Sequence, residues 1–122
     1  MNVIYVRADG SIARKVTNAN SIEQIDGLTA VIITEPCRIS SSYYMDGAIL
    51  PKSNMALVYS DGLVGQSISI SGIPDNSDVT WPDGVVTKES GSMSFDANVQ
   101  GAYTFKVYHP AYYLERITIN VA

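Results

Sequence analysis

The sequence predicts an all-β chain, on three observations. Apolar and polar residues alternate strictly in Ser67-Ile68-Ser69-Ile70-Ser71 and Ile117-Thr118-Ile119-Asn120-Val121, the period-two pattern of a half-buried strand. Asp-Gly pairs stand at 9–10, 26–27, 46–47, 61–62 and 83–84, and Asp-Gly favours the positive φ that hairpin turns require at their centre. Apolar residues do not recur at helical spacing over a useful length. One window, Asn18 to Gly27, offers Ser21 as a cap, Gln24 three residues later and Gly27 as a stop, and a helix there would be little more than a turn.

The elements follow in order. Val3-Ile4-Tyr5-Val6-Arg7 and Ser11-Ile12-Ala13-Arg14-Lys15-Val16 flank Asp9-Gly10 and form a first hairpin. Thr29-Ala30-Val31-Ile32-Ile33-Thr34 reads as a buried strand. Tyr43-Tyr44-Met45 and Ala48-Ile49-Leu50 flank Asp46-Gly47 as a second hairpin, and Ala56-Leu57-Val58-Tyr59 leads into a hairpin at Asp61-Gly62. Val79-Thr80-Trp81 with Val85-Val86-Thr87 bracket Asp83-Gly84 as a further hairpin.

A seam is expected at Pro51-Lys52-Ser53-Asn54, where a proline and three polar residues follow the second hairpin. It divides the chain into a hairpin region, 1–54, read as an arm or small subdomain because lone hairpins are marginal in water, and a second domain, 55–122. The latter holds roughly seven short runs with turn signals every eight to twelve residues, the spacing of a β-sandwich.

Composition narrows the functions. Of 122 residues 46% are hydrophobic and only 16% charged, too apolar for a disordered chain. The net charge is −4 and the eight Lys and Arg residues are scattered, so the basic footprint of a nucleic-acid binder is missing. The first ten residues hold an acid and no long apolar run, so neither a signal peptide nor a membrane-inserted segment is expected. The single cysteine, Cys37, has no partner within the chain for a disulfide.

Catalytic constellations are not legible. There is no Gly-x-Ser-x-Gly elbow, and the lone His109 lies beside Pro110 with no acid at a recognisable spacing. Arg38 beside Cys37 favours a thiolate, but an inert buried thiol is the commoner outcome for an isolated cysteine. No Asp-x-Asp-x-Asp-Gly loop occurs; Asp75-Asn76-Ser77-Asp78 is the one dense polar patch, read as a turn rather than a cation site. No enzyme, cofactor or metal is expected.

The most specific stretch is Ser92 to Val121. Tyr103 opens a strand two residues after Gly101, an arrangement that resembles the tyrosine corner of Greek-key sandwiches, preferred here to a plain strand aromatic. Gly101-Ala102-Tyr103-Thr104-Phe105-Lys106-Val107, then Pro110-Ala111-Tyr112 and a closing alternating strand, resembles the terminal hairpin of bacterial immunoglobulin-like and transthyretin-like modules, and Ile68 to Pro74, a short polar turn and Val79-Thr80-Trp81-Pro82-Asp83-Gly84 resemble the opening hairpin of the same modules. Tyr43-Tyr44-Met45-Asp46-Gly47-Ala48-Ile49-Leu50-Pro51, a Tyr-x-x-Asp-Gly-x-x-x-Pro hairpin ahead of such a module, is similar to small tail-associated proteins of bacteriophages. The resemblance implies an immunoglobulin-like β-sandwich over 55–122 and a non-enzymatic structural protein of the virion, in the tail, baseplate or fibre region.

Interface anchors are expected at Tyr43, Tyr44, Trp81, Tyr112 and Tyr113. Side chains alternate faces along a strand, so Tyr43-Tyr44 and Tyr112-Tyr113 should each send one ring inward and one outward. The expected partners are other virion proteins and further copies of this chain. The alternative is a carbohydrate-binding or adhesion module that stacks the same rings on a host surface glycan.

Overall fold

A computed structural model describes all residues from Met1 to Ala122. The chain is all-β and antiparallel, and it divides into two compact units, Met1–Ser53 and Asn54–Ala122.

The first unit is built on β1 (Asn2–Val6), β2 (Ile12–Val16) and β3 (Thr29–Ile33), in the order β2-β1-β3. Its central strand is covered on both faces, with Val3, Ile4, Tyr5 and Val6 all buried. Ile4 and Val6 point into a core with Ile12, Ile33 and Cys37, closed by Val31, Tyr44 and Ile49. On the other face the Tyr5 hydroxyl accepts the N–H of Glu23 at 3.2 Å, and the Arg14 guanidinium lies 5.9 Å from the Tyr5 ring. The window at 18–27 is therefore not helical. Its backbone donors go outward, Asn18 N–H to the Asn2 side chain and Glu23 N–H to Tyr5, and only Ile25–Leu28 closes as a turn. Ile22 and Ile25 alone form too narrow an apolar stripe to hold a helix against this sheet.

After a single turn of 3-10 helix (Ile39–Ser41), β4 (Ser42–Met45) and β5 (Ala48–Pro51) form a two-stranded hairpin. Asp46 (φ 52°) and Gly47 (φ 80°) are both left-handed, the requirement of a two-residue I′ turn. The hairpin docks through Tyr44, whose N–H donates to the carbonyl of Gly10 at 2.8 Å. The first unit thus encloses a core of its own.

The second unit is a four-stranded sheet of β6 (Ser67–Thr80), β7 (Val86–Asp96), β8 (Gly101–Tyr108) and β9 (Glu115–Val121), in the order β7-β6-β8-β9. The roughly seven short runs are in fact four longer strands. Asp75-Asn76-Ser77-Asp78 is not a turn but a bulge within β6: the register slips between Ser71 and Ile73 and again between Ile73 and Ser77. Ser77 is fully buried and closes the bulge by donating to the Pro74 carbonyl at 2.6 Å, while Asn76 N–H donates to the Ser90 hydroxyl.

These bulges fold the β6–β7 hairpin back on itself. A straight run from Ser67 to Thr80 would span about 43 Å at ~3.3 Å per residue, yet side chains from its two ends meet on one ring. Trp81, just past β6, lies 5.5 Å edge-on from Phe105, and Phe95, paired with Ile68 at the far end, lies 5.0 Å from the same ring. Gly72 (φ 78°), Asn76 (φ 61°) and Gly91 (φ 79°) supply the left-handed backbone at the bend. Between the halves lies a core of Ile68, Ile70, Ile73, Val79 and Met93 against Phe105, Val107, Ile117, Ile119 and Val121. Only Asp78–Thr80 of β6 hydrogen-bonds to β8, so the rest of the hairpin reaches this core face to face.

The hairpin expected at Asp61-Gly62 is absent. Gly62 forms a parallel bridge to Val121, and the Asp61 carboxylate accepts the Asn120 N–H at 2.9 Å. Gly62 has no positive φ; its role is closeness, since a Cβ there would fall 2.7 Å from the Ile68 side chain.

Candidate interaction surfaces

At the end where the folded hairpin meets itself, a cleft of about 230 Å³ opens between the Asp83 turn and the end of β7. Trp81, Phe95 and Tyr103 wall it, Pro82 and the fully covered Phe105 back it, and Asp83 and Asp96 complete its lining. Trp81-Pro82-Asp83-Gly84 is a turn closed by Gly84 N–H to the Trp81 carbonyl (2.9 Å), with Gly84 at φ 90°. The indole is fixed by a polar chain: its Nε1–H donates to Thr87 Oγ1 at 2.8 Å, and that hydroxyl donates to Glu89 Oε1 at 3.1 Å. Tyr103 is fixed by its hydroxyl, which donates to the Val99 carbonyl at 2.5 Å, the tyrosine corner expected from the sequence.

A second hollow, about 320 Å³, lies in the first unit along Val6–Gly10, Tyr44 and Asp46. Its charges answer one another: Arg7 donates to the Ser11 hydroxyl, and Asp9 accepts both the N–H and the hydroxyl of Ser11.

The structure places the five predicted anchors in unequal settings. In the first unit Tyr44 turns inward onto the core, and Tyr43, opposite Leu50, is half-buried. In the second unit Trp81 packs on the core and Tyr112 stacks edge-on against His109 at 5.2 Å. Tyr113 alone of the five is exposed, at 38%. The in-and-out division of Tyr112 and Tyr113 arises in the turn between β8 and β9, not by strand alternation.

Exposed apolar side chains also lie outside the predicted anchors. Segment 58–64 presents Val58, Tyr59, Leu63 and Val64 to solvent. Its end is held by Val64 N–H to the Ala122 carbonyl and Gly65 N–H to the Ala97 carbonyl. That places its C-terminal end next to the start of the β7–β8 turn, in which Val99 is 67% exposed. Of these residues only Tyr59 carries a sequence signal, its ring; alternation does not mark Val58, Leu63, Val64 or Val99, which lie in irregular segments.

The reactive candidates sit in quiet environments. Cys37 is 3% exposed, and burial pushes its thiol pKa up against the weaker opposing pull of Lys15 and a hydrogen bond with Ser42. His109 Nδ1 accepts the Ala111 N–H at 3.1 Å, closing its own turn. No group of three or more His, Cys, Asp or Glu side chains assembles as a metal site, and no helix is long and apolar enough to cross a membrane.

Compared with protein-family models, curated proteins and solved structures, the chain matches none.

Proposed function

We propose that this chain is a non-enzymatic structural and assembly protein of a bacteriophage particle, in its tail, baseplate or fibre region, whose second unit is an immunoglobulin-like module working through protein–protein contacts. The observation that carries this reading is the exposure of Val58, Tyr59, Leu63 and Val64 in one segment, whose C-terminal end is bonded next to the turn that exposes Val99. Large apolar side chains grouped on a soluble domain mark surfaces that other proteins cover. The β4–β5 hairpin, with its Tyr43-x-x-Asp46-Gly47-x-x-x-Pro51 pattern and I′ turn, supports the likeness to tail-associated proteins.

The glycan-binding alternative needs open ring faces. Tyr113 is the one exposed ring among the five aromatic anchors, and the other exposed ring, Tyr59, stands among the exposed aliphatic side chains Val58, Leu63 and Val64 of its segment, so protein contact is the stronger reading. The test is the assembly state by light scattering over a range of concentrations, together with co-purification alongside phage tail proteins. A stable oligomer or tail complex dispersed by Val64→Glu with Val99→Glu is the expected result. A monodisperse monomer at high concentration, with glycan-array binding lost in Tyr113→Ala, would overturn it in favour of the sugar-binding module.

A further inference from the structure

The cleft at the end of the folded hairpin has the chemistry of a receptor for one kind of group. Its walls are aromatic and its two charged side chains, Asp83 and Asp96, are both carboxylates; no lysine or arginine lines it. The chain as a whole is net negative, at −4. An anion is therefore repelled, and a neutral apolar group would cover two acids without pairing them. At about 230 Å³ the cleft lies below the ~300–1,000 Å³ usual for small-molecule pockets, the scale of one long side chain rather than an oligosaccharide.

Among cations the fit favours a guanidinium. It is planar and weakly hydrated, stacks on aromatic faces, and offers donors in a fork that matches carboxylates. A lysine ammonium is a strongly hydrated point charge that gains less from an aromatic wall. The receptor is also held in shape before anything enters. Trp81 is fixed through Thr87 and Glu89, Tyr103 through Val99, and the Asp83 carboxylate accepts the Val85 N–H at 3.1 Å. Rigid walls spare the ordering cost that weakens flexible sites.

We propose that this cleft receives an arginine side chain of a partner protein, clasped between Asp83 and Asp96 against Trp81 and Tyr103. The proposal deepens the assembly reading and rests on it for the partner being a protein. Because Asp83 and Asp96 come from opposite ends of one folded hairpin, the bound guanidinium would also tie those ends together.

Trp81 is the sole tryptophan, so its fluorescence reports the cleft directly. The full-length chain is titrated at low salt with acetyl-arginine amide, and in parallel with acetyl-citrulline amide, its near-isosteric neutral counterpart, and acetyl-lysine amide. The expected result is a saturable change with the arginine probe in the millimolar range, weakened by salt, with citrulline and lysine probes at least about tenfold weaker. Asp83→Asn with Asp96→Asn should weaken the arginine response by about tenfold or more. Both acids are exposed, and a circular-dichroism spectrum matching the unaltered chain verifies the fold. No saturable arginine response, an equal response to citrulline or lysine, or an undiminished response in the folded double variant overturns the proposal. Should any of these occur while the oligomer or tail complex persists, the cleft assignment fails and the assembly reading stands. Arginine selectivity in a strictly monomeric chain is the reverse case.

Discussion

The Tyr103 hydroxyl donates to the carbonyl oxygen of Val99, four residues upstream, at 2.5 Å. This bond closes the turn that carries the chain from β7 to β8. It leaves the ring against Phe95, 5.6 Å between centroids, on the rim of the aromatic core. One side chain thus satisfies a backbone acceptor that the turn would otherwise leave to solvent, and walls the cleft with its ring.

Tyr103→Phe keeps the ring and removes the bond. A hydrogen bond of this kind contributes about 1 kcal/mol net, so the thermal midpoint should fall by about 4 °C for a domain of this size. Calorimetry checks the shift. A midpoint unchanged within error would show the bond to be energetically idle.

Gly72 and Gly91 both lie in the bend of the β6–β7 hairpin with φ near 80°, yet they should respond differently to alanine. A Cβ on Gly72 would overlap the carbonyl oxygen of Ala56, where Val58 and Ser71 exchange two backbone bonds at 2.9 Å. A Cβ on Gly91 meets nothing. Gly91→Ala should cost only the left-handed strain, about 1 kcal/mol, whereas Gly72→Ala adds a clash with fixed backbone and should cost about 3 kcal/mol or more. Urea denaturation of the pair measures the contrast, and equal losses would argue against a close approach at Gly72.

These glycines show how far sequence reasoning reaches. Asp46-Gly47 and Asp83-Gly84 announce their turns because the φ requirement is local and two residues state it. Tyr103 announces its corner because the glycine spacing is local as well. Asp61-Gly62 misleads for the opposite reason: Asp61 is bound by Asn120, 59 positions away, and Gly62 is there to let Ile68 approach. The bulge at Asn76 misleads because polar residues in mid-strand look like a turn until the partner strand is known. The cleft is illegible for the same cause, since Asp83 and Asp96 come to line one cleft only when the hairpin folds at Gly72, Asn76 and Gly91. The half-burial of Trp81 is illegible likewise, because Phe105, against which it packs, belongs to another strand.

Cys37 gives the pH dependence. Burial raises its folded-state pKa above that of the unfolded thiol, so the folded chain holds the proton more tightly. The contribution is fully present below the ordinary thiol pKa of about 8.5. It is lost as pH rises through the folded pKa, because there the unfolded state binds fewer protons. Urea midpoints should therefore decline more steeply above about pH 8.5 in the unaltered chain than in Cys37→Ala. Iodoacetamide should label the folded thiol far more slowly than the unfolded one at neutral pH. Comparable labelling rates in the two states would mean that the thiol is open to solvent.

Thr87→Val tests the polar chain behind Trp81. Valine preserves the shape and strand preference of threonine but removes both the acceptor for the indole N–H and the link to Glu89. The half-buried indole donor then loses a partner that water replaces only in part, at about 1 kcal/mol, partly offset by the better strand former. Stability alone would report that offset poorly. The sharper measurement is the indole itself: its N–H should exchange with solvent several-fold faster, and Trp81 emission anisotropy should fall as the ring gains freedom. The Tyr103–Val99 bond is untouched by this change, so Phe95, Tyr103 and Phe105 should keep their packing, and aromatic ring-to-ring NMR contacts among those three should persist. Loss of those contacts would mean that Thr87 supports the whole aromatic cluster rather than the one ring it bonds.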